Sequence, residues 1–223
     1  MKAARAVYIG CLVLAALRPA TALACDVALL LSVDVSGSID RGEYRLQVQG
    51  ITDALRDPEV AEALLRGQVA LSVVQWSGTA QQTVSLPWRR ILTPRDSEDF
   101  ADRAERLERA YTGSDTAVGE AIGYSAGQFA AVSDCRRKVI DISGDGPQNA
   151  GFPLAPQRGA AGQAGIEINA IAIEDVGRAS PITEFYRRFV ITRNGFVMTA
   201  RGLSDYPRAL RAKILREVVK PLG

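Results

Sequence analysis

Three stretches far apart in the chain carry short oxygen-bearing side chains where apolar runs give way to polar loops. They are Asp34, Ser36 and Ser38 in LLLSVDVSGSID, Thr116 in TGSDTAVG, and Asp145 in VIDISGDGPQN. Two carboxylates and three hydroxyls form an all-oxygen donor set, which suits a hard divalent cation such as Mg²⁺, with Mn²⁺ or Ca²⁺ as alternatives. Two acids cancel the double charge of such an ion, and neutral hydroxyls fill further positions without over-neutralising it. A coordination position then stays open for an oxygen from outside. Each fragment alone has a plainer reading, because Asp-x-Ser-Gly-Ser and Asp-Gly are common turn sequences. The site therefore exists only if the fold brings the three stretches together.

The composition narrows the alternatives. Among 223 residues there is no histidine, which removes Ser/His/Asp and Cys/His triads, histidine-rich zinc sites and any imidazole general base. With 47% hydrophobic and 23% charged residues, the chain has the make-up of a globular protein with apolar material for one core. Glycine and proline are scattered among turns, and no linker, low-complexity tract or repeat is visible.

Lys2 and Arg5 precede an apolar run from Ala6 to Leu17, followed by the small residues of Ala22-Leu23-Ala24. This pattern predicts a secretory signal peptide over residues 1–24 and a mature domain over 25–223. The run of about 12 residues falls short of the roughly 20 that span a bilayer, so no transmembrane span is expected in the mature chain. The protein is thus expected to be exported, to the periplasm or beyond. Cys25 directly after the leader raises lipoprotein anchoring as an alternative, but Ala22 stands where a lipobox usually carries Leu. Losing Lys2, Arg5 and Arg18 with the leader takes the net charge from +2 to about −1. A near-neutral chain without a basic stripe argues against a nucleic-acid partner. The cluster Arg208, Arg211, Lys213, Arg216 and Lys220 reads as the solvated face of a C-terminal helix.

Alternation of strand and helix supplies the scaffold. Val27 to Val33 is a continuous apolar run ending at Asp34, the mark of a strand buried on both faces. Asp40 and Glu43 form a capping-box pattern ahead of Tyr44, Val48, Ile51 and Leu55 at helical spacing. Val69 to Trp76 is a second strand, and Gln81 to Leu86 is a short antiparallel edge strand closed by Pro87. Phe100, Ala104, Leu107 and Tyr111 place a stripe on one helix after Pro94. Val118, Ile122, Ala126 and Phe129 do so on another, which opens at Thr116 with Asp115 read as its cap, the alternative being a third acid of the site. Strands follow at Lys138 to Ile142, Ile166 to Ile173 and Phe196 to Ala200. A short helix is expected over Leu154 to Ala164, and a closing helix carries Tyr206, Leu210, Ile214 and Val218. Trp76 and Trp88 are assigned to core packing.

This pattern predicts an α/β fold: a doubly wound, mostly parallel sheet with one antiparallel edge strand and helices on both faces. Ligands of such sheets bind beyond the carboxyl ends of the strands, at the point where strand order reverses, and Asp34 and Asp145 both fall at such strand ends. Cys25 lies nine residues before Asp34 and Cys135 ten before Asp145. If the two acids cap neighbouring parallel strands, the two cysteines meet at the other end, and a Cys25–Cys135 disulfide is expected in an oxidising compartment.

With D-x-S-x-S, a downstream Thr in a Gly-containing loop and a strand ending in D-G, the chain resembles a von Willebrand factor A-type domain over essentially its whole mature length. It is most similar to the small secreted bacterial members of uncharacterised function. The resemblance implies a metal-ion-dependent adhesion site. Ser36 and Ser38 would bind the ion directly, and Asp34, Asp145 and Thr116 directly or through water. A partner protein would complete the site with an Asp or Glu carboxylate, and no catalysis is implied. One departure stands out: Gly144 occupies the place of Thr in the T-D-G pattern of many members, so a hydroxyl that could orient a ligand is missing. The rival reading is a metal-dependent phosphohydrolase with Asp34 as nucleophile. It is weakened by Ser36 at the position where such enzymes carry a second Asp.

Overall fold

The structure, a computed structural model, describes residues 25–113, 115–174 and 182–219. The leader assigned to residues 1–24 lies outside the described residues, as does Lys220 of the basic cluster. Six strands form one sheet: β1 (Val27–Asp34), β2 (Ala70–Trp76), β3 (Gln82–Arg90), β4 (Arg137–Gly144), β5 (Ile166–Glu174) and β6 (Val197–Arg201). Their order is β3-β2-β1-β4-β5-β6, all parallel except β3, which pairs antiparallel with β2 at one edge. The helices among the described residues are α1 (Arg41–Arg56), α2 (Pro58–Arg66), α3 (Pro94–Glu105), α4 (Val118–Gln128), α5 (Leu154–Gln163), α6 (Ile182–Phe185) and α7 (Tyr206–Val218).

Every residue of β1 is buried, because helices cover both faces of the sheet. Val27, Leu29, Leu31 and Val33 face one core with Ile51 and Leu55 of α1, Leu64 of α2, Phe100 of α3, and Leu210 and Ile214 of α7. Ala28 and Leu30 face the other core with Val118 and Ile122 of α4, Ala161 of α5 and Ile182 of α6. The same parity turns Ser32 toward α4, where its Oγ lies 3.2 Å from Ser125 Oγ, and puts Asp34 on that face. β1 connects onward to β2 on one side while β4 lies on its other side, so the order reverses between β1 and β4. Val33 pairs with Ser143, and the two strands therefore end together.

At the opposite end Cys25 and Cys135 form a disulfide, with Cα atoms 4.5 Å apart. Beside it Arg136 N donates to Cys25 O and Arg137 N to Asp26 O, which fixes the start of β1 against the start of β4.

Four sequence expectations need correction. β3 does not close at Pro87 but continues to Arg90, because register shifts between Leu71 and Val74 bulge the ladder there and Pro87 sits exposed on the edge. The stripe Phe100, Ala104, Leu107, Tyr111 is not all helical: α3 ends at Glu105, and the last two residues belong to a loop that packs on the core. Asp115 caps no helix. α4 begins at Val118 without a side-chain cap, and Asp115 is exposed. Nor is the basic cluster wholly solvated, since Lys213 is fully buried between Asp141 of β4 and Glu217 of α7. Two elements were not anticipated. α2 is capped by Asp57 ahead of Pro58, and α6 runs into a π-helical turn over Tyr186–Val190.

Candidate metal centre

β1 ends in Asp34, whose side chain is fully buried at the point of strand reversal. Its Oδ1 accepts from Ser36 N at 2.8 Å, so the carboxylate itself turns the chain out of the strand. The turn then presents Ser36 and Ser38, whose Oγ atoms lie 3.3 Å apart. A capping box terminates it: Asp40 accepts from Gly42 N and Glu43 N at 2.6 and 2.8 Å, and Glu43 accepts from Asp40 N at 2.7 Å. β4 delivers Asp145, and Ser38 Oγ donates to Asp145 Oδ1 at 2.7 Å. The loop before α4 delivers Thr116, whose Oγ1 donates to Ser36 Oγ at 3.3 Å. All five residues named from the sequence therefore meet in one place: Ser36, Ser38, Thr116 and Asp145 are joined by oxygen contacts, and Asp34 is tied to them through the Ser36 amide.

Several residues that the sequence reading did not single out hold this arrangement. Arg109, in the loop after α3, donates from Nη2 to Val35 O and Ser36 O, each at 2.8 Å, and from Nε to Val35 O at 3.2 Å. Gln75 fixes the same loop by accepting from Ala110 N and donating to Glu108 O, both at 2.9 Å. Asn149 secures the Thr116 loop: its Oδ1 accepts from Thr116 N at 2.8 Å, and its own N donates to Thr116 O at 3.0 Å. Gln148 Oε1 accepts from Gly119 N at 2.7 Å, which answers a free amide of the uncapped first turn of α4. The QN pair after Asp145-Gly146-Pro147 was the available signal, but side-chain amides in a loop carry no period or motif.

The electrostatics are unbalanced. Asp34 Oδ2 is buried without a hydrogen-bond partner. Burial lifts the Asp34 carboxyl to about 7; the Asp145 charge adds to the rise, and hydrogen bonds from Ser36 and the charge of Arg109 oppose it. The Tyr186 hydroxyl is likewise buried and without a partner. Burial, with Asp34 and Asp145 nearby, pushes that phenol well above its ordinary value. A buried, unanswered carboxylate beside a second acid is costly for the chain alone and is relieved by a cation. Among the described residues no group of three or more His, Cys, Asp or Glu side chains could hold a metal ion. The donor set instead combines two acids with three hydroxyls, and hydroxyl contacts of 3.3 Å are longer than good O–H···O bonds. These oxygens are gathered more than they are bonded to one another, and the residues present fit a hard divalent ion. Ser38 is exposed while Asp34, Ser36, Thr116 and Asp145 are buried, so the group is open to solvent on its Ser38 side.

A family model described as "Protein of unknown function (DUF1194)" matches residues 24–222. The chain belongs to that family. No curated protein matches the sequence. Among solved structures, proximal thread matrix protein 1 from the mussel byssus, in a form described with a zinc-occupied MIDAS motif, is similar at a TM-score of 0.65 and 20% identity. The alignment covers 86% of this chain and 48% of that one. A von Willebrand factor type A protein from Catenulispora acidiphila follows at a TM-score of 0.63 and 18% identity, with 87% and 43% of the two chains covered. The conserved hypothetical protein BatB from Bacteroides thetaiotaomicron gives a TM-score of 0.55 and 16% identity, covering 87% of this chain and 100% of its own. The family member described here therefore has the von Willebrand factor A fold, and it spans about half the length of the mussel protein. No described helix is long and apolar enough to cross a membrane.

Proposed function

We propose that the protein is an exported binding module that engages a carboxylate of a partner protein through a divalent cation held by Asp34, Ser36, Ser38, Thr116 and Asp145. The observation that carries this reading is the buried Asp34 carboxylate with one oxygen unanswered, linked through Ser36 to two further hydroxyls and a second acid. Mg²⁺, Mn²⁺ or Ca²⁺ fits the oxygen donors, and the zinc-occupied motif of the mussel protein adds Zn²⁺ to the ions worth testing. When bound, the ion supplies a Lewis-acidic position for an outside oxygen. The chain does the rest: Arg109 holds the Ser36 turn, Asn149 holds Thr116, and the capping box fixes where the turn joins α1.

Phosphoryl transfer through Asp34 is the weaker reading. A nucleophile needs access to its substrate, and Asp34 has no exposed surface. The Cys25–Cys135 disulfide supports an oxidising compartment, and with it the exported state that the leader predicts.

Thermal melting in EDTA and in Mg²⁺, Mn²⁺, Ca²⁺ and Zn²⁺ tests the proposal. An ion at 100 times its dissociation constant should stabilise the fold by about 2.7 kcal/mol. Asp34→Ala should abolish that response, and generic phosphoesters should not be turned over. Phosphoester hydrolysis that disappears with Asp34 would sink the binding-module reading. Affinity capture from the cell envelope, with metal against chelator, then reads out the partner.

A further inference from the structure

Gly144 leaves a gap beside Asp34 that another residue fills. A Cβ on residue 144 would overlap the Tyr186 hydroxyl, and Asp34 Oδ2 lies 2.9 Å from the same point. The phenol arrives from the π-helical turn over Tyr186–Val190, on the α4 side of the sheet, and is fully buried. Its hydroxyl and Asp34 Oδ2 are both without a hydrogen-bond partner. One is a donor and the other an acceptor, and both lie within 3 Å of the point where a Cβ on residue 144 would stand. Departures from regular helix of this kind recur at functional sites.

We infer that Tyr186 is a positioning residue of the metal centre: its hydroxyl, unbonded in this structure, is placed to donate to Asp34 Oδ2 and to do for this site what a hydroxyl-bearing side chain at position 144 would otherwise do. The inference rests on the proposed metal site. A neutral hydroxyl orients Asp34 but leaves its charge and that of Asp145 in place, so the phenol and the cation have separate tasks. A carboxylate oxygen has two lone pairs and can serve both. Glycine at 144 is the condition for this exchange, because any side chain there displaces the phenol.

Isothermal titration with the ion that most stabilises the wild type, among Mg²⁺, Mn²⁺, Ca²⁺ and Zn²⁺, tests the inference. Tyr186→Phe should melt cooperatively in EDTA and bind the ion about 10- to 100-fold more weakly. Gly144→Thr should be destabilised by its clash with the phenol, and Gly144→Thr combined with Tyr186→Phe should recover affinity relative to Tyr186→Phe alone, a coupling that a purely structural tyrosine does not produce. Wild-type affinity in Tyr186→Phe, with binding lost in Asp34→Ala, overturns the inference and leaves the metal site standing. If the wild type binds no ion, the metal site falls and this inference with it, and a crystal structure of the ion-bound wild-type protein decides the remaining case. Tyr186 Oη within about 3 Å of Asp34 Oδ2 upholds the positioning contact, and a phenol turned away ends it. The same structure decides should Tyr186→Phe fail to fold.

Discussion

Asp34 is held where the chain offers its charge little in return. One oxygen has the Ser36 amide, the other has only the neutral Tyr186 hydroxyl beside it, and Arg109, whose charge favours the ionised acid, spends its donors on the carbonyls of Val35 and Ser36. The carboxylate is therefore expected to weaken the ion-free fold while enabling the ion-bound one. Asp34→Asn separates the two effects. In EDTA this variant should be more stable than the wild type by about 1–3 kcal/mol, since a neutral amide replaces an uncompensated buried charge. With ion added the order should reverse. Urea denaturation with and without chelator measures both, and a variant less stable in EDTA would show that the chain already neutralises Asp34 by itself.

At the scale of elements, the Asp34–Ser38 turn takes its shape from a loop distant in sequence. Apolar periodicity points to a helix that runs through Leu107 to Tyr111, yet α3 stops at Glu105 and the chain loops toward the site. Pairing with Gln75 and the fork of Arg109 onto two carbonyls outweigh one more helical turn. Arg109→Ala should cost about 1.5–3 kcal/mol, the range of hydrogen bonds to charged groups, and should weaken ion binding as the turn loosens. Arg109→Lys should not rescue it, because an ammonium lacks the planar fork that reaches both carbonyls. Equal ion affinity in wild type and Arg109→Ala, measured by calorimetry, would show that the turn holds its shape unaided.

Across the whole molecule, a second buried charge group lies away from the candidate site. Lys213 Nζ stands 2.6 Å from Asp141 Oδ1 and donates to Glu217 Oε1, and Asn169 Nδ2 donates to the same Glu217 oxygen at 2.8 Å. One cation between two buried acids leaves a negative charge over. Burial, with the charge of Asp141, raises the Glu217 carboxyl to about 8, and burial raises Asp141 as well. An acid raised in the folded state holds a proton that the unfolded chain has released, so stability should fall as pH climbs from about 4.5 to about 8. Glu217→Gln should flatten that slope, as followed by urea denaturation across the window. An unchanged slope in the variant would place the proton elsewhere. The group ties α7 to β4, and Arg216 stacks on Phe196 at 3.7 Å beside it.

The alternation of buried strands and amphipathic helices is local, because strand and helix periods repeat within a few residues and turn residues mark where they break. Hence the sequence alone determined the α/β class, the six strands, the antiparallel edge and the capping box at Asp40. The oxygen-bearing residues were legible too, since a strand that ends in Asp and runs into Ser-Gly-Ser is read in one glance along the chain. Only the tertiary structure decided what surrounds them. Arg109, Asn149 and Tyr186 act through contacts between segments 33 to more than 70 residues apart, and Lys213 is buried because Asp141, from another element, faces it. No local period encodes such meetings. They follow from which loops the sheet order gathers at one end, and from the space that Gly144 leaves for a phenol brought in from the far side of the sequence.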